Sequence, residues 1–380
     1  MKCIHCGTDS KLKDRADGRC PKCKHQFAFE PTKDAHRVTD GQFKNAVERV
    51  SGDSRVMFTE RELWYEFNRK WMKPGFWRQP YGWLPTLGLG PVALGVAGIL
   101  HATVLIPAML GVTLAGVAAG ALLSHRANRR APLPPLPPRV SFDEFRGKYL
   151  ARWREVHGDV PALLPPRDLL RAPEPREVPA DVRSFSFDRA VVAEHWDTAD
   201  MLVANRFHFE HNCAVLSRDG YPGTIAETVK EMLRRNPNLT VFALHDASPG
   251  GCLLPATLRE PEWFPEPTVR VVDVGLRPGT VRALKLPAVH GRPGKLPPRV
   301  ESLLPPEDVE WLRQGNVGEL AALRPTQLMH ALARAIAAAA AVDSSSDGGG
   351  GYGGDGGGII WFGDLGGSGG GDSSTTDGFG

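Results

Sequence analysis

Residues 240–251 read Thr-Val-Phe-Ala-Leu-His-Asp-Ala-Ser-Pro-Gly-Gly, an apolar, β-branched run that ends abruptly in polar and turn-forming residues. A short unbroken apolar run bounded by Pro and Gly is the pattern of a strand buried on both faces, as parallel sheets require. Similar runs lie at 190–193, 213–217 and 269–272, and stretches of helical character at 198–205, 224–236 and 251–258 separate them. Strands alternating with helices pair in parallel through right-handed crossovers. The segment 181–290 is therefore expected to be an α/β domain with a parallel sheet.

In an open parallel sheet, ligands gather at the carboxyl ends of the strands. Those ends present Glu194 and His195, then Arg218 and Asp219, then His245, Asp246 and Ser248, then Asp273. Carboxylates converging from several strands are hard oxygen ligands suited to Mg2+. Glu194, Asp219 and Asp246 are the candidate catalytic residues, while Asp197 and Thr224 read as helix caps. His195, Arg218 and His245 could instead supply the compensating positive charge, and no metal would then be needed. Glu194 on the first strand and the loop 245–251 after the third are similar to the Toprim domain of bacterial primases and topoisomerases. That resemblance covers residues 189–252 and implies metal-dependent phosphoryl chemistry on nucleic acid. Ser248 stands where the second aspartate of the Toprim motif would be. No Ser-His-Asp signature, P-loop or G-x-G-x-x-G motif accompanies it.

At the other end of the chain, Cys3, Cys6, Cys20 and Cys23 fall in a C-x2-C, x13, C-x2-C pattern. Two such knuckles can place four thiolates tetrahedrally around one Zn2+, a closed structural shell with no position for substrate. Residues 1–30 resemble a zinc ribbon, with His5 and His25 as bystanders. Lys2, Lys11, Lys13, Arg19, Lys22 and Lys24 would offset the charge of a tetrathiolate centre. Thiolate zinc sites belong to reducing compartments, so this end is expected in the cytoplasm, with Cys213 and Cys252 as ordinary thiols.

Between Arg78 and Arg126 no Lys, Arg, Asp or Glu occurs for 47 residues. Its apolar heart, 83–123, would make about 60 Å of helix, twice the hydrocarbon thickness of a bilayer. Glycines and alanines on both arms suit close helix packing, and Arg69, Lys70, Lys73 and Arg78 before it match Arg126, Arg129 and Arg130 after it. The expectation is a two-helix transmembrane hairpin over 81–124 with both termini cytoplasmic.

The remaining segments are a small helical unit at 38–75, in which Thr39 caps one helix and Thr59 with Glu62 forms a capping box for the next, a proline-rich linker with one amphipathic helix at 131–180, and a helical segment at 300–342. From 343 to 380, 17 of 38 residues are Gly and six are Asp, with no Lys or Arg, so a disordered acidic tail is expected there. Basic and acidic residues nearly cancel, at 46 and 43, which argues against bulk polyanion binding. Two functions fit. One is a membrane-tethered zinc-ribbon adaptor or regulatory protein with protein partners at the ribbon or tail. The other is a Toprim-like divalent-metal-dependent enzyme acting on phosphate esters or nucleic acid.

Overall fold

The computed structural model describes residues 1–15, 17–72, 137–165, 188–219, 239–263 and 269–344, with single positions at 115, 118 and 233. The chain forms two units, and every contact described below lies within the one made of Met1–Arg69 and Pro138–Gly380.

The parallel sheet is present. Strands β1 (Arg189–Ala193), β2 (Ala214–Ser217), β3 (Thr240–Leu244) and β4 (Arg270–Gly275) are all parallel, in the order β2-β1-β3-β4. Both faces are covered, which is why the strands read as unbroken apolar runs. Ala190, Val192, Ala214, Leu216, Val241 and Ala243 pack with Leu233, Leu254 and Leu258 on one face. Val191, Val215, Phe242 and Leu244 are buried on the other. The order reverses between β1 and β3, so the crevice between their carboxyl ends is the topological switch point where ligands bind such sheets.

Three helices make a separate aromatic layer. Helix α1 (Asp40–Ser51) starts where Thr39 Oγ1 accepts the Gln42 N–H and stops at Gly52, whose φ of 54° is a left-handed cap. Helix α2 (Glu60–Met72) opens with the reciprocal bonds of a capping box, Thr59 N to Glu62 Oε2 at 2.7 Å and Glu62 N to Thr59 Oγ1 at 3.3 Å. Helix α3 runs without a break through Phe142–Glu144, a π-helical segment Phe145–Leu150, and Ala151–His157. Phe43, Phe67, Phe145 and Trp153 stack, tilt or meet edge-on against one another at ring separations of 4.5 to 6.1 Å. Asn68, fully buried on α2, accepts the N–H groups of Arg139 and Val140 and so clamps the chain where α3 begins.

Charged and amide side chains join this layer to the sheet domain. Met57 and Asn205 exchange two hydrogen bonds, from Met57 N to Asn205 Oδ1 and from Asn205 Nδ2 to Met57 O. Arg61 forks onto Glu319, and Arg324 forks onto Glu66. Beyond β4 (Arg270–Gly275) come helices α4 (Pro278–Leu284), α5 (Pro298–Leu303), α6 (Pro306–Arg313) and α7 (Pro325–Ser344). Helix α7 extends to Ser344, two residues past the expected end of the helical segment.

The expected transmembrane hairpin finds no support in the structure. Among the described residues no helix is long and apolar enough to cross a membrane. The longest, α7, has 20 residues, and its buried Leu328, Ala331, Leu332, Ala335, Ile336 and Ala339 form a single stripe facing the core. Such a helix is amphipathic, whereas a lipid-exposed span is apolar all round. The hairpin placed at 81–124 falls outside the described residues, apart from positions 115 and 118. A two-span membrane protein with both termini cytoplasmic is therefore unsupported. The acidic Gly-rich tail likewise lies outside the described residues beyond 344.

Candidate functional site

The N-terminal knuckles repeat one geometry. Cys3 N donates to Thr8 O and Gly7 N to Cys3 O, and Cys20 N donates to His25 O and Lys24 N to Cys20 O. The residue after each second cysteine is left-handed, Gly7 at φ 72° and Lys24 at φ 62°. These turns bring Cys3 and Cys23 Sγ to 3.6 Å, Cys6 and Cys20 Sγ to 3.6 Å, and all four sulfurs within 4.8 Å of one another. A tetrahedron with Zn–S arms of about 2.3 Å has edges of about 3.8 Å, so the cluster is sized to hold a metal ion such as zinc. The Thr8 hydroxyl lowers the Cys6 thiol to about 6. Cys23 is pushed up to about 12, because desolvation and three neighbouring sulfurs outweigh the His25 amide that favours its thiolate. Crowded thiolates of this kind call for a cation among them.

The ribbon is seated by buried charge. Asp40, at the first turn of α1 and fully buried, accepts the N–H groups of Ala28 and Phe29 at 3.0 and 2.9 Å and lies 2.8 Å from His157 Nε2. Arg15, also buried, donates to both oxygens of Glu30 and to Ser10 O. His5 and His25 stack on each other at 3.5 Å.

The second cluster stands at the switch point. The β1–β3 ladder continues one residue beyond the strands, with Glu194 N donating to Leu244 O. Glu194 and Asp246 are therefore side by side, and Asp246 N donates to Glu194 Oε2 at 3.0 Å. His195 Nε2 lies 3.3 Å from Asp246 Oδ2 and 3.9 Å from Glu194 Oε2. Ligand atoms from Glu194, His195 and Asp246 all fall within 4.8 Å of one another. Asp219 is exposed past the end of β2 and is not in this grouping. Ser248 turns back on its own loop, its Oγ accepting the Gly251 N–H at 2.9 Å. Asp273 lies inside β4 rather than at its end, bridging His245 and Arg277 at 3.0 and 2.7 Å.

Compared with known proteins, the chain matches no family model, no curated protein and no solved structure. The Toprim resemblance consequently has no family match behind it.

Above the cluster opens a cavity of about 540 Å3, lined among others by Arg61 and Glu319, His195 and Asp197, and Asp246 and Leu320. Residues far apart in the sequence build it. Leu320 N donates to Asp246 Oδ1 at 2.8 Å, and Ala247 pairs with Gly318. Carboxylates of Glu60, Asp197, Asp200, Asp246 and Glu319 outnumber the cations Arg61, Arg146 and His195 on its walls. Its hydrogen bond to Asp246 raises His195 to about 9 despite partial burial. Burial, with Asp246 nearby, holds Asp197 above the usual carboxylate range. On α2, the buried Tyr65 hydroxyl has no aligned hydrogen-bond partner, although Glu319 and Asp246 are close by.

The residues that sequence reading missed here are Arg61, Tyr65, Glu319 and Leu320. Gly251 carried a signal in the Gly-Gly pair. A Cβ there would sit 2.5 Å from Glu194 Oε2 and 2.3 Å from Asp246 O, whereas one at Gly250 would sit 3.8 Å from Glu194 Oε1. Gly251→Ala is expected to destabilise the protein by about 1–3 kcal/mol through overpacking, and Gly250→Ala by no more than about 0.5 kcal/mol. Urea midpoints check this, and equal midpoints for the two variants would show that Glu194 does not need the close approach.

Proposed function

We propose that the protein is a divalent-metal-dependent enzyme acting on phosphate esters, with a structural zinc ribbon held by Cys3, Cys6, Cys20 and Cys23. The observation that carries the enzymatic reading is the placing of Glu194, His195 and Asp246 within 4.8 Å at the switch point, beneath a cavity whose walls bear more carboxylates than cations. Such walls favour a cation, and Glu194 and Asp246 offer it oxygen ligands. A bound Mg2+ or Mn2+ would polarise a phosphoryl oxygen. His195, half-exposed to the cavity, is the group placed to pass a proton to a leaving oxygen. Arg61 is held by Glu319 and shapes the opposite wall. Ser248 caps its own turn, so the pair Glu194 and Asp246 bears the coordination alone.

A second reading, a non-catalytic adaptor, is favoured by His195 and Arg218, which already stand 3.3 Å from Asp246 and 3.8 Å from Glu194 and so provide the compensating charge. Mn2+ titration of the full chain separates the two. The enzyme reading expects saturable binding that weakens by about tenfold or more in Asp246→Asn, together with Mn2+-stimulated hydrolysis of a chromogenic phosphodiester. Absence of saturable Mn2+ binding would leave the adaptor.

A further inference from the structure

On the other side of the 246–251 loop is a second, smaller cavity, about 130 Å3 in volume, with a different charge balance. Its charged lining consists of His245, Arg259, Asp273 and Arg277, and its rim carries Leu303 and Leu304. The fully buried His245 ring puts Nε2 3.0 Å from Asp273 Oδ1 and Nδ1 2.8 Å from Asp246 O. Both ring nitrogens therefore face acceptors. Asp273, flanked by that ring and by Arg277 at 2.7 Å, is the one carboxylate in the lining, against the two guanidinium groups of Arg259 and Arg277. Among the described residues, Arg259 bonds only to the carbonyl oxygens of Pro255 and Val271, at 3.3 and 3.1 Å. Its charge has no carboxylate to offset it.

We propose that this cavity is a phosphate-binding site, in which Arg259 and Arg277 clamp the oxyanion over the His245–Asp273 pair. Guanidinium groups suit tetrahedral oxyanions because their forked donors meet two oxygens at once. The volume is well below the roughly 300 Å3 at which pockets begin to enclose drug-sized ligands, so the enclosed part of the ligand is a single phosphate group. Among the described residues, Leu303 is one of three exposed large apolar side chains. With Leu304 it offers a surface for the organic group of a phosphate monoester outside the cavity. The site is chemically opposite to the acidic cavity at Glu194 and does not depend on it.

Calorimetric titration of the full-length protein, with chloride at matched ionic strength as control, tests the assignment. Inorganic phosphate is one arm and phenyl phosphate the other. One saturable site per chain is expected, weakened by about tenfold or more in Arg259→Ala, the order expected for loss of a charge-assisted pair. The melting temperature of that variant without phosphate should fall only slightly, since Arg259 is exposed and gives up only its two bonds to carbonyl oxygens. Tighter binding of phenyl phosphate identifies a monoester as the ligand, and equal binding identifies free phosphate. Asp246→Asn should leave phosphate binding intact, so this site stands even where the metal reading fails. No saturable binding of either ligand, or equal binding by wild type and Arg259→Ala, would overturn the proposal.

Discussion

Cys20→Ser is expected to reduce zinc from about one ion per chain to near none and to unfold the N-terminal 30 residues. The ribbon has almost no core of its own: Cys3, Cys20 and Phe27 are its buried apolar cluster, with Met1, Cys6 and Cys23 packed around them. Apparent binding free energies of structural zinc, about 10–16 kcal/mol at pH 7, are in such modules the folding energy itself. A serine at 20 removes one thiolate from a site whose edges fit four. The aromatic layer should survive in the main, because Phe43, Phe67, Phe145 and Trp153 pack on one another, although it would lose the contacts that Phe29 makes with Phe43 and Trp153. Metal analysis of the purified full-length chain and limited proteolysis of residues 1–35 check both halves. Full zinc content in the variant would refute the four-thiolate site.

How much of this was legible depended on whether local pattern or tertiary contact decides the feature. The strands could be read because burial on both faces leaves a continuous apolar run, as at Thr240–Leu244. The neighbouring positions of Glu194 and Asp246 follow from β1 pairing with β3, and strand-end chemistry pointed to both residues. Asp219 stands outside the grouping of Glu194, His195 and Asp246, and its place could not be read because strand order is not written locally. β2 lies on the far side of β1 from β3, which carries the end of β2 away from the crevice. The cavity wall was illegible for another reason. Arg61 and Glu319 are 258 residues apart, and nothing near either residue marks the other as its partner. The knuckles were legible because metal ligation fixes spacing directly. The uncharged run after Arg78 suggested membrane spans, whereas among the described residues no helix is long and apolar enough to cross a membrane.

The buried Glu66 is where the two layers are most exposed to a single change. Its carboxylate, 1% exposed, takes Arg49 and Arg69 at 2.7 Å and Arg324 at 3.2 Å. Burial alone would raise its pKa, but Arg69, Arg324 and Arg49 together hold it below the usual carboxylate range. Glu66→Ala would leave three guanidinium groups facing one another across the joint between α2 and the 319–324 loop. Breaking a buried ion pair from one side costs about 3–5 kcal/mol. The arginines are one-third to one-half exposed, so a loss of about 3 kcal/mol at pH 7 is expected. Because the folded pKa of Glu66 is depressed, its contribution is present above the unfolded glutamate value of about 4.3 and disappears as pH falls through the folded value. Urea unfolding should thus show a gap between wild type and variant that is full at pH 7 and narrows below about pH 4. The same loop presents Leu320 N to Asp246, so Mn2+ binding should weaken in Glu66→Ala although residue 66 is no ligand. A gap independent of pH would show that packing, rather than ionised Glu66, joins the layers.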